Sequence, residues 1–417
     1  MSKAIWRHSA AILLCLSVAG VAAADTCSPV MEWNRNALAA TRTSPPQGAL
    51  VQIRSMAIVH ASMHDAVNTI TGEYPTYLPA ALPPGGASPK AAAIAAANYA
   101  LTRLFPAQGW EFQLDPSLSA CGLTIEDPGV AVGRAAAAAV LASRPVDEVK
   151  KTADPTYVAP NAGVPGVWEV AEGDIPASPK WGQMKTWVIE SGSQFRPDAP
   201  PALDSGRYAR DFNEVKMLGA KVGSARTPEQ TRIAHFWDNT PSVIWNSVAT
   251  GVIERRGLDL SNQARAFALM YIAGADASIA CFDAKYTYNF WRPIAAIRRA
   301  EADGNDATLA DTEWDALVHT HPHPEYPSGH TTNSSAMATV LELLFGDAPG
   351  VAIHAEVPNP EVPNATLTAD WSTFSQGVDE VIDARVYIGF HFRTSDETGA
   401  RIGGQVARFV MNHILRD

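Results

Sequence analysis

Apolar residues recur at helical spacing along almost the whole of this chain, and that pattern limits what it can fold into. "VQIRSMAIVHASMHDAVNTI" (51–70), "SPKAAAIAAANYALTRLF" (88–105) and "GVAVGRAAAAAVLAS" (129–143) read as alanine-rich helices. Helical patterning returns in "GRYARDFNEVKMLGAK" (206–221) and in "TPEQTRIAHFWDN", where Thr227 and Pro228 form an N-cap and first-turn pair. It is strongest from Leu260 to about Trp291, then resumes in "SGHTTNSSAMATVLELLFG", "FSQGVDEVIDARVYIG" and "DETGARIGGQVARFVMNHIL". Strand signals are scarce. An all-α chain of helical bundles follows, in two bundle-like halves.

The halves are separated by residues 147–204, rich in Pro and Gly and poor in periodic runs, which read as a long irregular connection. The expected organisation is a leader over 1–24, an N-terminal helical region with its connection over 25–204, and a C-terminal helical region over 205–417. In the leader, Lys3 and Arg7 precede the apolar run "AAILLCLSVAGVA", and Ala22-Ala23-Ala24 offers small residues for cleavage before Asp25. The run is too short for a comfortable membrane anchor, so export to a secreted or periplasmic location is expected, with no membrane span after cleavage. No later segment reads as one. The tandem "EVPNPEVPN" (356–364) reads as a proline-stiffened loop, and Asp370-Trp371-Ser372 as a cap region.

The formal charge is −11, and it becomes more negative once Lys3 and Arg7 leave with the leader. Such a surface excludes nucleic acid as partner, because phosphate backbones require clustered cations. Cys27, Cys121 and Cys281 remain after cleavage, with three pairings open and no CxxC spacing for zinc. Self-association is left open.

Three segments of the C-terminal half carry the chemistry. "KYTYNFWRP" places Lys285 and Arg292 seven apart, two helical turns, so both cations can share a helix face. "EYPSGH" sets Ser328, Gly329 and His330 on a turn after Pro327, where a hydroxyl and helix N-terminal N–H groups suit an oxyanion. "ARVYIGFH" places Arg385 and His391 six apart around Gly389.

In this order the three blocks resemble the signature of the vanadium-dependent haloperoxidases and the related type 2 phosphatidic-acid phosphatases: Lys-x6-Arg-Pro, Pro-Ser-Gly-His and Ser-Arg-x5-His. Lys285 through Pro293, Pro327 through His330, and Ala384-Arg385 through His391 match. Only the Ser of the third block is missing, replaced by Ala384. The resemblance implies that Lys285, Arg292, Ser328, Gly329, Arg385 and His391 cradle vanadate or phosphate. His391 Nε2 would be the axial vanadium ligand or, in a phosphatase, the nucleophile, and His330 the acid and base. Lys285 would polarise bound peroxide.

The long chain with its leader and "NFWRP" resemble the haloperoxidase branch, with vanadate as cofactor and hydrogen peroxide, halide and a small organic acceptor as partners. A secreted acid phosphatase, needing no cofactor and passing through a phosphohistidine, is the alternative; a phosphate-binding protein without turnover is a third reading. The two reactive histidines argue against pure binding. His323, seven before His330, falls where fungal chloroperoxidases have Phe and algal bromoperoxidases His, which implies bromide or iodide rather than chloride.

Phosphatases of this family often carry Asp four residues after the nucleophilic His. Here Asp396 is five after His391, so it is expected instead to cap the last helix. Arg393 reads as a solvated cation. Asp276 and Asp283 are candidates to orient an arginine of the site. His60 and His64, at i and i+4, have zinc-chelating spacing, but Ala61 stands where HExxH needs Glu; His64 and Asp65 read as a structural hydrogen-bonding pair.

Overall fold

The structure, a computed structural model, describes residues 27–43 and 46–416, so the leader expected over 1–24 lies outside the described residues. The first helices are α1 (Pro29–Arg42), α2 (Ala49–Thr71), α3 (Pro89–Leu104), α4 (Leu114–Ala120) and α5 (Pro128–Ser143). After the irregular connection come α6 (Gly206–Leu218), α7 (Pro228–Phe236), α8 (Pro241–Arg256), α9 (Leu260–Tyr288) and α10 (Pro293–Arg298). The chain continues with α11 (Gly329–Phe345), strands β1 (Ile353–Pro358) and β2 (Thr366–Trp371), α12 (Phe374–Tyr387) and α13 (Arg393–His413).

Local chemistry accounts for the boundaries. Thr227 accepts from Gln230 N–H while the Gln230 side chain reaches back to Thr227, a reciprocal cap with Pro228 in the first turn of α7. Ser88 and Asp127 open α3 and α5 in a similar way, each with Pro next. α9 stops at Tyr288 because Asn289 turns left-handed, with φ 48°. The helix therefore ends short of Trp291, and Arg292 does not share a helix face with Lys285.

Two further expectations change. The "EVPNPEVPN" stretch supplies the end of β1 and the turn of an antiparallel hairpin in which Ile353 pairs with Trp371 and Pro358 with Thr366. Asp370 and Trp371 belong to β2, and Thr373 caps α12 instead. α9 is also long and apolar enough to cross a membrane, contrary to the sequence reading, but nearly all of it is buried inside the fold.

α2, α3 and α5 pack together, as do α9, α11 and α13, and α2 lies on α9. One continuous core runs from Val30 of α1 to Leu415 after α13. Small residues set the helix spacing: a Cβ on Gly133 of α5 would sit 2.2 Å from the Ala92 carbonyl of α3. A smaller cluster of Tyr208, Phe290, Trp291, Phe390 and Phe392 lies where the C-terminal connections cross.

The irregular connection is tightly fastened to α9. Asp276 accepts from Trp187, Val188 and Ile189 N–H at 2.7–3.0 Å, and Asp283 pairs bidentately with Arg196. These carboxylates hold that segment, and neither reaches Arg292 or Arg385 as the sequence had suggested.

On α2, Asp65 accepts from Tyr77 and Leu78 N–H, while His64 Nε2 lies 3.0 Å from the Pro75 carbonyl. They clamp the same following loop rather than each other. His60 lies against Asn34 Oδ1 at 3.1 Å and stacks on Phe267 and Tyr271. Among the described residues no group of three or more His, Cys, Asp or Glu is placed to hold a metal. Of the open cysteine pairings, Cys27–Cys121 is the one formed, and Cys281 is a buried free thiol.

Candidate functional site

Five helix ends converge on one buried centre. Lys285 lies in the last turn of α9, and Arg292, past the turn at Asn289, occupies the N-cap of α10. Ser328 is the N-cap of α11, following a cis Tyr326–Pro327 bond. Arg385 projects from the last turn of α12, and His391 lies in the link to α13. That link needs Gly389: its φ is 86°, and a Cβ there would come within 2.7 Å of the Gly219 carbonyl. Lys285, Arg292, Ser328, Arg385 and His391 are all buried, whereas Gly329 and His330 are partly exposed.

The cations are held by backbone carbonyls rather than by carboxylates. Lys285 Nζ donates to the Pro324 and Glu325 carbonyls, both at 2.8 Å, which leaves one of its three donors. Arg292 donates from Nε to the His323 carbonyl at 2.9 Å and from Nη1 to the Phe390 carbonyl at 3.0 Å. Its Nη1 also lies 3.3 Å from His391 Nε2. Arg385 donates from Nη1 to the Trp237 carbonyl at 2.7 Å, while its Nε and Nη2 have no hydrogen-bond partner. The Ser328 hydroxyl is likewise buried without one.

Burial of so much positive charge shifts these groups toward their neutral forms. Lys285 is pushed down to about 7, and Arg292 and Arg385 each to about 10, in every case chiefly by desolvation. Burial also holds His391 and His330 well below the ordinary histidine value, with the neighbouring arginines adding to the effect. A multiply charged anion would reverse the balance for the cations.

Sequence reasoning missed Glu325. This fully buried carboxylate accepts at Oε1 from Phe392 N–H at 3.0 Å and lies 2.8 Å from His391 Nδ1; at Oε2 it accepts from the Ser395 hydroxyl at 2.5 Å. Burial pushes it up to about 7, although Ser395, Lys285 and Arg292 pull the other way. An isolated acidic residue in a loop has no spacing to mark it, so only its place beside Tyr326-Pro327 could have pointed to it.

Asp396 does not cap α13. Phe392 holds the N-cap, and Asp396 lies in the first turn, buried beside the Ser328 hydroxyl without a hydrogen bond of normal geometry to it; desolvation raises its pKa against the opposing pull of Ser328 and Arg385. Four residues after His391 stands Ser395, whose hydroxyl goes to Glu325. Arg393 is not a free solvated cation either, since it pairs with Glu214 at 2.7 Å and Asp383 at 2.8 Å.

His323 belongs to the centre, with its Nδ1 3.0 Å from Arg292 Nη2. It lines a pocket of about 370 Å³ together with Phe282, His321, Gly329 and His330, and with Leu50 and Val51 of α2. His330 Nε2 lies 3.2 Å from the Asn239 carbonyl. A carbonyl only accepts, so Nε2 carries the hydrogen and Nδ1 is free to take a proton.

The donor set fits a tetrahedral oxyanion such as vanadate. The Arg385 Nε and Nη2 and the Ser328 hydroxyl are buried donors with no partner, and the third Lys285 hydrogen is also uncommitted.

Residues 265–416 match the family model of the VCPO second helical-bundle domain. Over 202 residues the chain is 24% identical to the vanadium chloroperoxidase of Curvularia inaequalis, covering 42% of this chain and 33% of that protein. The match thus spans about a third of the relative's length. The fold is similar to that of the first bacterial vanadium-dependent iodoperoxidase, with 24% identity and a TM-score of 0.79 over 94% of this chain and 98% of that one. It is also similar to an apo-type bacterial vanadium-dependent chloroperoxidase, with 19% identity and a TM-score of 0.71 over 88% and 95% of the two chains. The C-terminal helices that carry all three motifs thus match a vanadium chloroperoxidase domain, and the fold of the whole chain is that of the bacterial vanadium haloperoxidases.

Proposed function

We propose that this protein is a vanadate-dependent haloperoxidase that uses hydrogen peroxide to oxidise halide to a hypohalous acid, consuming one proton and releasing water. The observation that carries the reading is the set of buried, unpartnered donors on Arg385 and Ser328 beside Lys285, Arg292 and the Nε2 face of His391. When bound, vanadate supplies a Lewis-acidic centre that activates peroxide toward halide without changing its own oxidation state.

The chain's own residues do the rest. Lys285, Arg292 and Arg385 compensate the anion's charge, with the arginines positioned to grip oxygens in their planar fork. Ser328 and the Gly329 N–H at the start of α11 donate to its oxygens. His391 Nε2, which presents its lone pair to the cradle, would be the ligand that holds the metal. His330, neutral and with Nδ1 free, takes the peroxide proton at the pocket side and returns it to the leaving oxygen. The surrounding apolar side chains limit water.

His323 on Arg292 supports bromide or iodide over chloride, and the iodoperoxidase among the similar structures fits iodide. The pocket beside His330 would admit halide and a small organic acceptor. The matched relatives are peroxidases, which favours this reading over a phosphatase. Export to a secreted or periplasmic location is part of the proposal, and the Cys27–Cys121 disulfide supports it. So are the two regions divided near residue 204.

The test is bromination and iodination of a phenolic dye by purified apoprotein and peroxide, before and after orthovanadate, beside a p-nitrophenyl phosphate assay. Activity that appears only with vanadate, is lost in His391→Ala, and is greater with iodide or bromide than with chloride is expected. Phosphate release inhibited by vanadate, without halogenation, would overturn the proposal.

A further inference from the structure

A fixed donor on one side of His391 and a carboxyl on the other determine which nitrogen carries its hydrogen. Arg292 Nη1, 3.3 Å from His391 Nε2, can only donate, so Nε2 presents its lone pair. A neutral ring whose Nε2 accepts must carry its hydrogen on Nδ1, and Glu325 Oε1, which also accepts from Phe392 N–H at 3.0 Å, is the atom that faces it. The remaining contact, 2.8 Å between that same Oε1 and His391 Nδ1, is then an Nδ1–H donating to the carboxylate. Both faces of the ring are thereby matched, a donor at Nε2 and an acceptor at Nδ1, in one tautomer.

We infer that Glu325 is the positioning residue of the site, fixing the ring plane and tautomer of His391 so that Nε2 faces the oxyanion with its lone pair. The inference rests on the reading of the cradle as a vanadate site, and it concerns the chain's own residues. Glu325 acts through His391 and does not touch the anion.

The carboxylate is itself held on several sides. Ser395 at 2.5 Å and Phe392 N–H fix its oxygens from the start of α13. Its backbone N–H donates to the Phe290 carbonyl at 2.9 Å, and its own carbonyl accepts from Lys285 Nζ. One residue therefore connects Lys285, the connection carrying Arg292, and His391. Carboxylate partners of this kind orient metal-binding imidazoles and make them more basic.

Two measurements test the inference. The first needs no substitution: ¹⁵N spectra of histidine-labelled apoprotein, with His391 assigned by its loss in His391→Ala, should show Nδ1 protonated and Nε2 bare. An Nε2–H ring would overturn the inference. The second is vanadate affinity by equilibrium dialysis of wild type, Glu325→Ala and Glu325→Gln. Glu325→Ala should bind vanadate roughly 10- to 100-fold more weakly and lose the Nδ1–H preference. Glu325→Gln, which keeps an acceptor at Oε1, should recover the tautomer and part of the affinity.

Unchanged affinity in Glu325→Ala would overturn the positioning role while leaving the vanadate site intact. Wild type that binds no vanadate would overturn the reading of the cradle itself, and the inference with it. If Glu325→Ala does not fold, the wild-type spectrum and Glu325→Gln still decide: a glutamine variant that lacks the Nδ1–H preference overturns the inference.

Discussion

Lys285 shows how a single buried group sets the pH behaviour of the whole centre. Without an anion, desolvation lowers it to about 7, so above that pH the lysine is mostly neutral. An anion at the cradle needs the ammonium, so binding above about pH 7 must draw in a proton. Affinity should then fall as pH rises past 7, by up to about tenfold per pH unit for one linked proton, and show no such dependence below it. Lys285→Met should bind vanadate more weakly at neutral pH and lose this component of the slope. Equilibrium dialysis of both proteins from pH 6 to 9 checks it, since the ionisation of vanadate itself is common to the two. The site residues that carry charge were legible because they recur at set separations around Pro and Gly. Glu325 was not, because a carboxylate that acts through one imidazole 66 residues away leaves no spacing to read.

Helix contacts carry the next level of constraint, and α13 against α11 is the one that bears most directly on the cradle. A Cβ on Gly399 would lie 2.2 Å from Thr331 Oγ1 and 2.6 Å from the Ser328 carbonyl; one on Gly403 would lie 2.1 Å from the Thr332 carbonyl. Alanine at either position forces the helices apart, at a cost of roughly 1–3 kcal/mol. Only Gly399 meets Ser328 itself, so Gly399→Ala should lose more vanadate affinity than Gly403→Ala at similar stability loss, measured by denaturation and dialysis together. α2 gives a different test. His60 is depressed to about 3 by burial against an ordinary 6.5, so its contribution to stability is present above 6.5 and lost as pH falls toward 3. From pH 6.5 to 5 that loss is about 2 kcal/mol. His64, lowered to about 4, adds to it. His60→Gln, which keeps a donor for Asn34, should start less stable yet lose less between pH 7 and 5 in urea unfolding. The helices themselves were readable from periodicity and caps. Their ends were less so, since α9 stops where Asn289 turns left-handed and α13 begins three residues before the acidic pair that seemed to open it.

At the scale of the molecule, long-range fastenings decide what periodicity cannot. The connection over 147–204 reads as loose from its composition, yet Asp276 gathers three of its N–H groups and Asp283 its Arg196, because a segment buried against α9 must satisfy its backbone there. The strand pair around "EVPNPEVPN" was hidden for the opposite reason: each strand has only six residues, and prolines mask the alternation. The cysteines left three pairings open in sequence, and the packing of α4 near the start of α1 selects Cys27–Cys121 across 94 residues. A crosslink closing so long a loop restricts the unfolded chain, and its removal should cost about 2–5 kcal/mol. None of the six residues of the proposed cradle, nor the acid-base residue His330, lies within that loop, although α2 within it supplies Leu50 and Val51 to the pocket wall. A Cys27→Ser/Cys121→Ser variant should therefore melt at lower temperature, while vanadate affinity at 25 °C stays within about twofold of wild type. Thermal unfolding and dialysis on the same preparations check both halves of the expectation. A parallel loss of affinity would mean that the N-terminal helices hold the cradle in shape through α2 and α9, and that the carboxy-terminal helices do not form it independently.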